Sequence, residues 1–294
     1  MAKIVNKHGA PKPFIKFCED DKYDAGRADY SATTLINEPR IVELEKRHKE
    51  LMVDDPSENP FKFLSSNWHE LLSGYTDDGV INEERVFSEI ETPDGTVTIS
   101  GAMDVQEQDG ENITITDYKM TSVYSLNDTD KWEAQQNIYA WLLEKEKPGI
   151  TVKRIQVYAF LRDWKISMSE KLSGYPKTPG VVVPLDLWSF QERKSYVLAR
   201  IKMHQAAKEN LPQCSHEGRW PSGKIYKVMS TSGIHPTKTF RLKREANKFI
   251  SDLDPLDSIT SKIETTHETY RRCKNYCYVS KVCKQWEDWQ SAND

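Results

Sequence analysis

The sequence predicts an α/β protein: a central mixed β-sheet flanked by helices, with a small cysteine-containing module at its C-terminal end. Three observations carry that expectation. The alternating runs "TVTISGAMDVQ" and "NITITDYKM" stand on either side of Asp109-Gly110, a strong signal for a tight antiparallel hairpin. The helical stretch "DKWEAQQNIYAWLLEKE" lies between the second of these runs and the next strand signal, "VKRIQVYAFL". A helix joining two strands makes a crossover, and a crossover beside a hairpin makes a mixed sheet. From Leu211 onward the texture changes to short polar pieces and clustered cysteines.

Taken in order, residues 1–30 are polar, contain Pro11, Pro13 and Gly26, and read as an irregular N-terminal arm. Ser31 can cap the segment "SATTLINEPRIVELEKRHKELM", in which Ile41, Leu44, His48 and Leu51 recur at helical spacing after Pro39. A second helix is expected over "NPFKFLSSNWHELLSGY", ending near Gly74. "RVFSEIET" opens the strands, Pro93-Asp94-Gly95 turns the chain, and the hairpin and crossover helix follow. "GVVVPLDL" supplies one more strand, and "SFQERKSYVLARIKMHQAAKEN" a long closing helix. The expected organisation is therefore an arm (1–30), a sheet-and-helix domain (31–210) and a cysteine module (211–294).

With 294 residues and 37% hydrophobic content, the chain can bury a full-sized core. No apolar run approaches the roughly 18–20 residues that span a bilayer, and "MAKIVNKHGAPKPF" lacks the apolar centre of a secretory signal, so a cytoplasmic location is expected. The formal net charge is −4, but residues 215–294 hold 14 Lys and Arg against 10 Asp and Glu. Local basic patches, not net charge, govern nucleic-acid affinity. Five cysteines in a chain without export signals argue against a disulfide framework.

Asp104, Asp117 and Lys119 fall on the hairpin strands. Asp117 and Lys119, two apart, share a face, and Asp104 at the end of the preceding strand can meet them across the ladder. Two carboxylates can hold a divalent cation while an ammonium positions water or offsets developing negative charge. By themselves the same residues also fit a solvated surface pair. Gln135 and Tyr139 lie on one helix face at i and i+4, where Tyr139 also suits a core aromatic beside Trp132 and Leu143. Gln136 points about 100° away.

Gly101-x-x-Asp104, Asp117-Tyr118-Lys119 and Gln135-x-x-x-Tyr139, preceded by His69 on a helix, together resemble the motif series of RecB-like nucleases of the PD-(D/E)XK superfamily, relatives of the CRISPR-associated and helicase-linked exonucleases. The resemblance covers residues 31–210 and implies a restriction-endonuclease-like core. It implies that Asp104, Asp117, the Tyr118 carbonyl and His69 ligate Mg²⁺ or Mn²⁺, an imidazole suiting Mn²⁺ better. It implies that Lys119 orients the attacking water, and that Gln135 and Tyr139 line the same cleft beside the nucleic-acid backbone. His48 is a rival to His69, and members of this fold often use an acidic residue before the hairpin, for which Glu84 and Glu89 are the two candidates. The implied function is a metal-dependent DNA nuclease, an exonuclease acting on single strands or free ends in phage or bacterial DNA processing, with protein partners unspecified. The rival is a non-catalytic DNA-binding subunit.

Cys273, Cys277 and Cys283 form a tight cluster beside Arg271, Arg272 and Lys274, whose charge favours thiolates. Three cysteines need a fourth ligand. The family resemblance implies a [4Fe–4S] cluster whose distant cysteine commonly stands near "INEPRIV", where this chain has Glu38. Cys214 is the expected replacement, with Cys18 as second choice. Thiolate spacing alone also allows Zn²⁺.

Overall fold

The computed structural model describes residues 3–19, 27–58, 60–75, 77–230 and 233–293, apart from the side chains of 62, 63, 66, 67, 69, 70 and 73. The chain divides into two compact units, Met1–Glu43 with Lys49–Leu211, and Leu44–His48 with Pro212–Asp294. In chain order the elements are β1 (Lys3–Ile4), α1 (Lys12–Glu19), β2 (Tyr30–Ser31), α2 (Ala32–Ile36), α3 (Pro39–Arg47), β3 (Val53–Asp54), α4 (Pro60–Ser73), β4 (Val80–Thr92), β5 (Gly95–Asp109), β6 (Asn112–Thr121), α5 (Asp130–Glu146), β7 (Thr151–Leu161), α6 (Ile166–Lys171), β8 (Gly180–Leu185) and α7 (Phe190–Ala206). The remaining elements are β9 (Tyr226–Ser230), β10 (Pro236–Phe240), α8 (Lys243–Ser251), α9 (Pro255–Ile259), β11 (Ser261–Thr265), α10 (Arg271–Asn275) and α11 (Lys284–Asn293).

The first unit is an α/β core around a mixed sheet flanked by helices, the restriction-endonuclease-like arrangement. Its strands run β2-β5-β6-β7-β8, and β4 also pairs with β5. The β4–β5, β5–β6 and β7–β8 ladders are antiparallel, whereas β6 and β7, joined through α5, are parallel. The β5–β6 hairpin closes on Asp109 and Asn112, with Gly110 at φ +61°. That sign at the first of two turn residues suits glycine, and it matches the right-handed strand twist.

Alternation then decides what faces what. On β6, Ile113 and Ile115 are buried in the core with Ile99, Met103 and Ile155, and each such side chain contributes roughly 1.5–3 kcal/mol of apolar transfer. Asp117 continues their face along the strand. On α5, every residue from Ala134 to Leu143 is buried, because the helix packs on β4, β5 and β7 as well as α2 and α7. Its buried stretch includes the amides Gln135, Gln136 and Asn137 as well as apolar side chains. α7 starts at a reciprocal capping box between Ser189 and Glu192.

Three expectations are corrected. The N-terminal arm contains α1, whose Phe14, Ile15 and Cys18 are disguised in the sequence by Pro11 and Pro13, although proline is compatible with a first helical turn. The helix expected from Ser31 is two helices: Ser31 caps α2, the chain is extended at Asn37, and α3 begins at Pro39. A residue before proline is pushed out of the α region, which explains the break at Glu38. β5 also runs on to Asp109, so Asp104 lies inside a strand and not at its end.

In the second unit, β9 is the central strand between β10 and β11, and both pairings are antiparallel. Among the described residues no helix is long and apolar enough to cross a membrane.

Candidate active site

The site arises where β5 changes neighbours. One edge of β5 pairs with β4 from Gly95 to Glu107. Its other edge pairs with β2 at Ile99 and Ser100, and with β6 only from Val105 to Asp109. The β5–β6 ladder therefore ends at Val105–Thr116, and the next residues on each strand are Asp104 and Asp117. Beyond that point β6 keeps its ladder with β7, through Asp117–Val157, Tyr118–Tyr158 and Lys119–Ala159.

Asp104 and β6 are joined across this parting by a side chain. Asp104 Oδ2 accepts a 2.7 Å hydrogen bond from the Tyr118 N–H. The Lys119 ammonium lies 2.6 Å from Asp117 Oδ2. Both carboxylates are buried, Asp104 at 8% exposure and Asp117 at 2%. Such a concentration of negative charge inside a protein is costly unless cations accompany it.

Lys119 is one such cation. Burial acts to lower its pKa, but the charge and hydrogen bond of Asp117, together with Asp104, outweigh burial and raise it above the ordinary lysine value. The side chain therefore stays protonated at neutral pH, as a donor and a positive charge and not as a base. The Tyr118 phenol is also raised, first by burial and then by Asp104, Glu107 and Tyr158.

Gln135 and Tyr139 are brought together on α5, where Gln135 Nε2 donates to the Tyr139 hydroxyl at 2.6 Å. Both are buried. Tyr139 is also the reason for a glycine at 101: a Cβ there would come within 2.6 Å of Tyr139 Cδ1 and 2.9 Å of Leu142 Cδ1. The Gly-x-x-Asp spacing thus couples the seat of α5 on β5 to the position of Asp104.

The auxiliary residues fare differently. Glu84 is held by Lys147 at 2.6 Å and by Gln106 Nε2 at 2.8 Å, and Glu89 is exposed opposite Thr98. Gln136 is fully buried. The His69 side chain lies outside the described residues, although its backbone belongs to α4. His48 belongs to the second unit.

One feature of the site was not visible in the sequence. Glu83 sits on β4 between the pairs Asn82–Val105 and Glu84–Met103, directly opposite Asp104, with φ +51°. A non-glycine residue in the left-handed region within a strand is strained, and such strain concentrates at functional sites. Nothing in "VINEERVFSEI" signals it.

Residues 28–284 match the sequence profile of the PD-(D/E)XK nuclease superfamily. The chain belongs to the PD-(D/E)XK nuclease superfamily. No curated protein matches it. Among solved structures, this PD-(D/E)XK chain is similar to the crystal structure of SSO0001, with 16% identity and a TM-score of 0.46 over 68% of this chain and 87% of that one.

PD-(D/E)XK nucleases typically use Mg²⁺ or Mn²⁺, and the donor chemistry here suits a hard divalent cation. Among the described residues no group of three or more His, Cys, Asp or Glu side chains is disposed to hold a metal. Mg²⁺ requires less than that, because it keeps several waters and binds through one or two carboxylates plus substrate phosphates.

The cysteines are all free thiols. Cys18 is buried in α1 of the first unit, and the other four belong to the second. Gln285, two residues after Cys283, clamps the Cys214 backbone from both sides, accepting from its N–H at 2.8 Å and donating to its carbonyl at 3.1 Å. The Cys277 thiol is pushed up to about 11, first by burial and further by Cys273 and Cys283, against the Val279 N–H and Arg272. The basic neighbours therefore do not make Cys277 a thiolate, because burial outweighs them. Cys273 and Cys283 both lie close enough to the Cys277 thiol to act on it.

Proposed function

We propose that the chain is a divalent-metal-dependent deoxyribonuclease of the RecB-like kind, an exonuclease hydrolysing phosphodiester bonds at free ends or in single strands. The observation that carries the proposal is the parting of β5 from β6, which leaves buried Asp104 and Asp117 side by side with the protonated Lys119.

In this reading Asp104 and Asp117 hold Mg²⁺ or Mn²⁺, with His69 and the Tyr118 carbonyl completing the site. In an extended strand the N–H and C=O of one residue point the same way. The Tyr118 N–H meets Asp104, so its carbonyl is also directed toward β5. The bound metal supplies Lewis acidity toward water and phosphate. Lys119 donates to the attacking water and offsets the negative charge that gathers on the phosphate oxygens as the new P–O bond forms and the old one breaks. Gln135 and Tyr139 fix the wall of the cleft against the strand backbone.

The arm (1–30), the nuclease domain (31–210) and the cysteine module (211–294) form our functional division of the chain. Cys214, Cys273, Cys277 and Cys283 are the ligands we assign to a [4Fe–4S] cluster, with Zn²⁺ as the alternative. Support comes from the Gln285 clamp on Cys214 and the mutual influence of the other three thiols. A metal held by these four residues would cross-link the segment around Cys214 to the C-terminal cysteines and stabilise the module. Free thiols throughout favour a cytoplasmic setting.

Degradation of plasmid and of a single-stranded oligonucleotide with Mg²⁺ or Mn²⁺, against an EDTA control, tests the activity. Cleavage of linear and single-stranded DNA with sparing of covalently closed circles is expected. Equal attack on closed circles would make the enzyme an endonuclease.

A further inference from the structure

The second unit carries a strongly basic surface that the cleavage chemistry leaves unused. From Lys224 to Lys248 the chain has seven Lys and Arg against the single acid Glu245, in a protein whose net charge is −4. Five of these cations sit on one substructure: Lys238 on β10, Arg241 in the connection that follows, and Lys243, Arg244 and Lys248 on α8. All five are exposed. Among the described residues none of the five is in a salt bridge.

Packing holds the five cations on a common support. Phe240 of β10 meets Phe249 of α8 with ring centroids 5.4 Å apart. Lys238 Nζ lies 4.9 Å from the Phe249 ring centre and 5.5 Å from that of Phe240, so its charge is held where strand and helix join. Ala246, fully buried, seats the opposite face of α8.

The placement works against local stability. Lys243 and Arg244 occupy the first turn of α8, the positive end of the helix dipole. Arg244 and Lys248 are like charges at i and i+4. Glu245, in the same first turn, is the one carboxylate on α8, and among the described residues it forms no salt bridge with them.

Resting on the nuclease reading, we propose that the β10–α8 surface binds the sugar-phosphate backbone of single-stranded DNA as a second hold on the strand, separate from the cleavage site. Lys and Arg on such a surface neutralise phosphates and release counterions, which gives sequence-independent, salt-sensitive affinity. The surface strengthens substrate binding without touching the reacting phosphate, so it acts on KM and not on kcat.

The test is the salt dependence of binding to a fluorescein-labelled single-stranded oligonucleotide in EDTA, read by anisotropy. A variant with Lys238→Gln, Arg241→Gln, Lys243→Gln, Arg244→Gln and Lys248→Gln should keep its circular dichroism. Its slope of log K against log salt should fall by about 0.7 for each phosphate that is no longer neutralised, up to about 3.5 in all. A second variant that exchanges Lys for Arg and Arg for Lys at the same five positions should keep the wild-type slope. In metal, the neutralised variant should show a raised KM with kcat unchanged. An Asp117→Asn protein with the surface intact should keep the binding slope while losing cleavage, so failure of the cleavage site and failure of this surface give different results. An unchanged slope in the neutralised variant would overturn the proposal and leave the surface to an acidic protein partner. A slope reduced equally in the charge-retaining variant would overturn it in favour of a purely structural role.

Discussion

Asp104 and Tyr118 are joined by a side-chain-to-backbone hydrogen bond of 2.7 Å at the point where their two strands stop pairing. A carboxylate takes the place of the next rung of the ladder, and this holds the β5–β6 parting at a fixed width. Asp117 and Lys119 flank Tyr118, so the same bond sets where both of them stand.

Lys119→Met should lower kcat by two to three orders of magnitude while single-stranded DNA affinity in EDTA changes less than about threefold. The ammonium acts as the charge on phosphate develops, which is a transition-state contribution. Parallel losses in binding and rate would make Lys119 a simple phosphate contact.

Gly101→Ala should destabilise the first unit by about 1–3 kcal/mol, since the added Cβ overlaps the buried Tyr139 ring. In a Tyr139→Leu background the same substitution should cost less than half as much. Denaturant melts of the four proteins measure the coupling, and additive costs would remove Tyr139 as the reason for the glycine.

Glu84 gives a pH signature. Burial acts to raise its pKa, but hydrogen bonds from Lys147 and Gln106 and the Lys147 charge outweigh it, and the net shift is downward from 4.5. A depressed folded pKa contributes stability above the unfolded value, and that contribution is lost as pH falls through the folded one. Glu84→Gln should therefore be less stable than the parent at pH 6, by at most about 1 kcal/mol because solvent screens this partly exposed pair, with the gap narrowing as pH falls below 4.5. A gap that does not narrow as pH falls below 4.5 would assign the loss to packing.

Anaerobically purified protein should carry iron and absorb broadly in the visible. Cys214→Ser should lose most of that metal and Cys18→Ser should retain it. Loss of the cluster should loosen the second unit before cleavage fails. Stoichiometric zinc without iron would replace the cluster by a zinc site, and full metal in Cys214→Ser would exclude Cys214 as the fourth ligand.

The hairpin and the crossover helix were legible because their signals are local: alternation in "NITITDYKM", Asp109-Gly110 at the turn, and an unbroken apolar run in α5. The positions of Asp117 and Lys119 follow from that alternation. The parting of the strands was not legible, since the sequence on both sides reads as continuous strand and suggests that Asp104 meets Asp117 within a ladder that has in fact ended. Glu83 at positive φ was hidden for the same reason: strand residues on either side give no hint of it. The sheet of the second unit was also illegible, because β11 pairs with β9 across two intervening helices, a contact no short window contains. α1 was obscured by Pro11 just before it and Pro13 within it.

The most direct test of the account is the metal-dependent cleavage rate of Asp117→Asn on single-stranded DNA. This substitution keeps side-chain volume and an oxygen for Lys119 but removes the charge a divalent cation requires. Cleavage should fall to the EDTA background with Mg²⁺ or Mn²⁺, while the thermal melt and DNA binding in EDTA stay close to those of the parent. A wild-type rate in Asp117→Asn would contradict the carboxylate site at the β5–β6 parting.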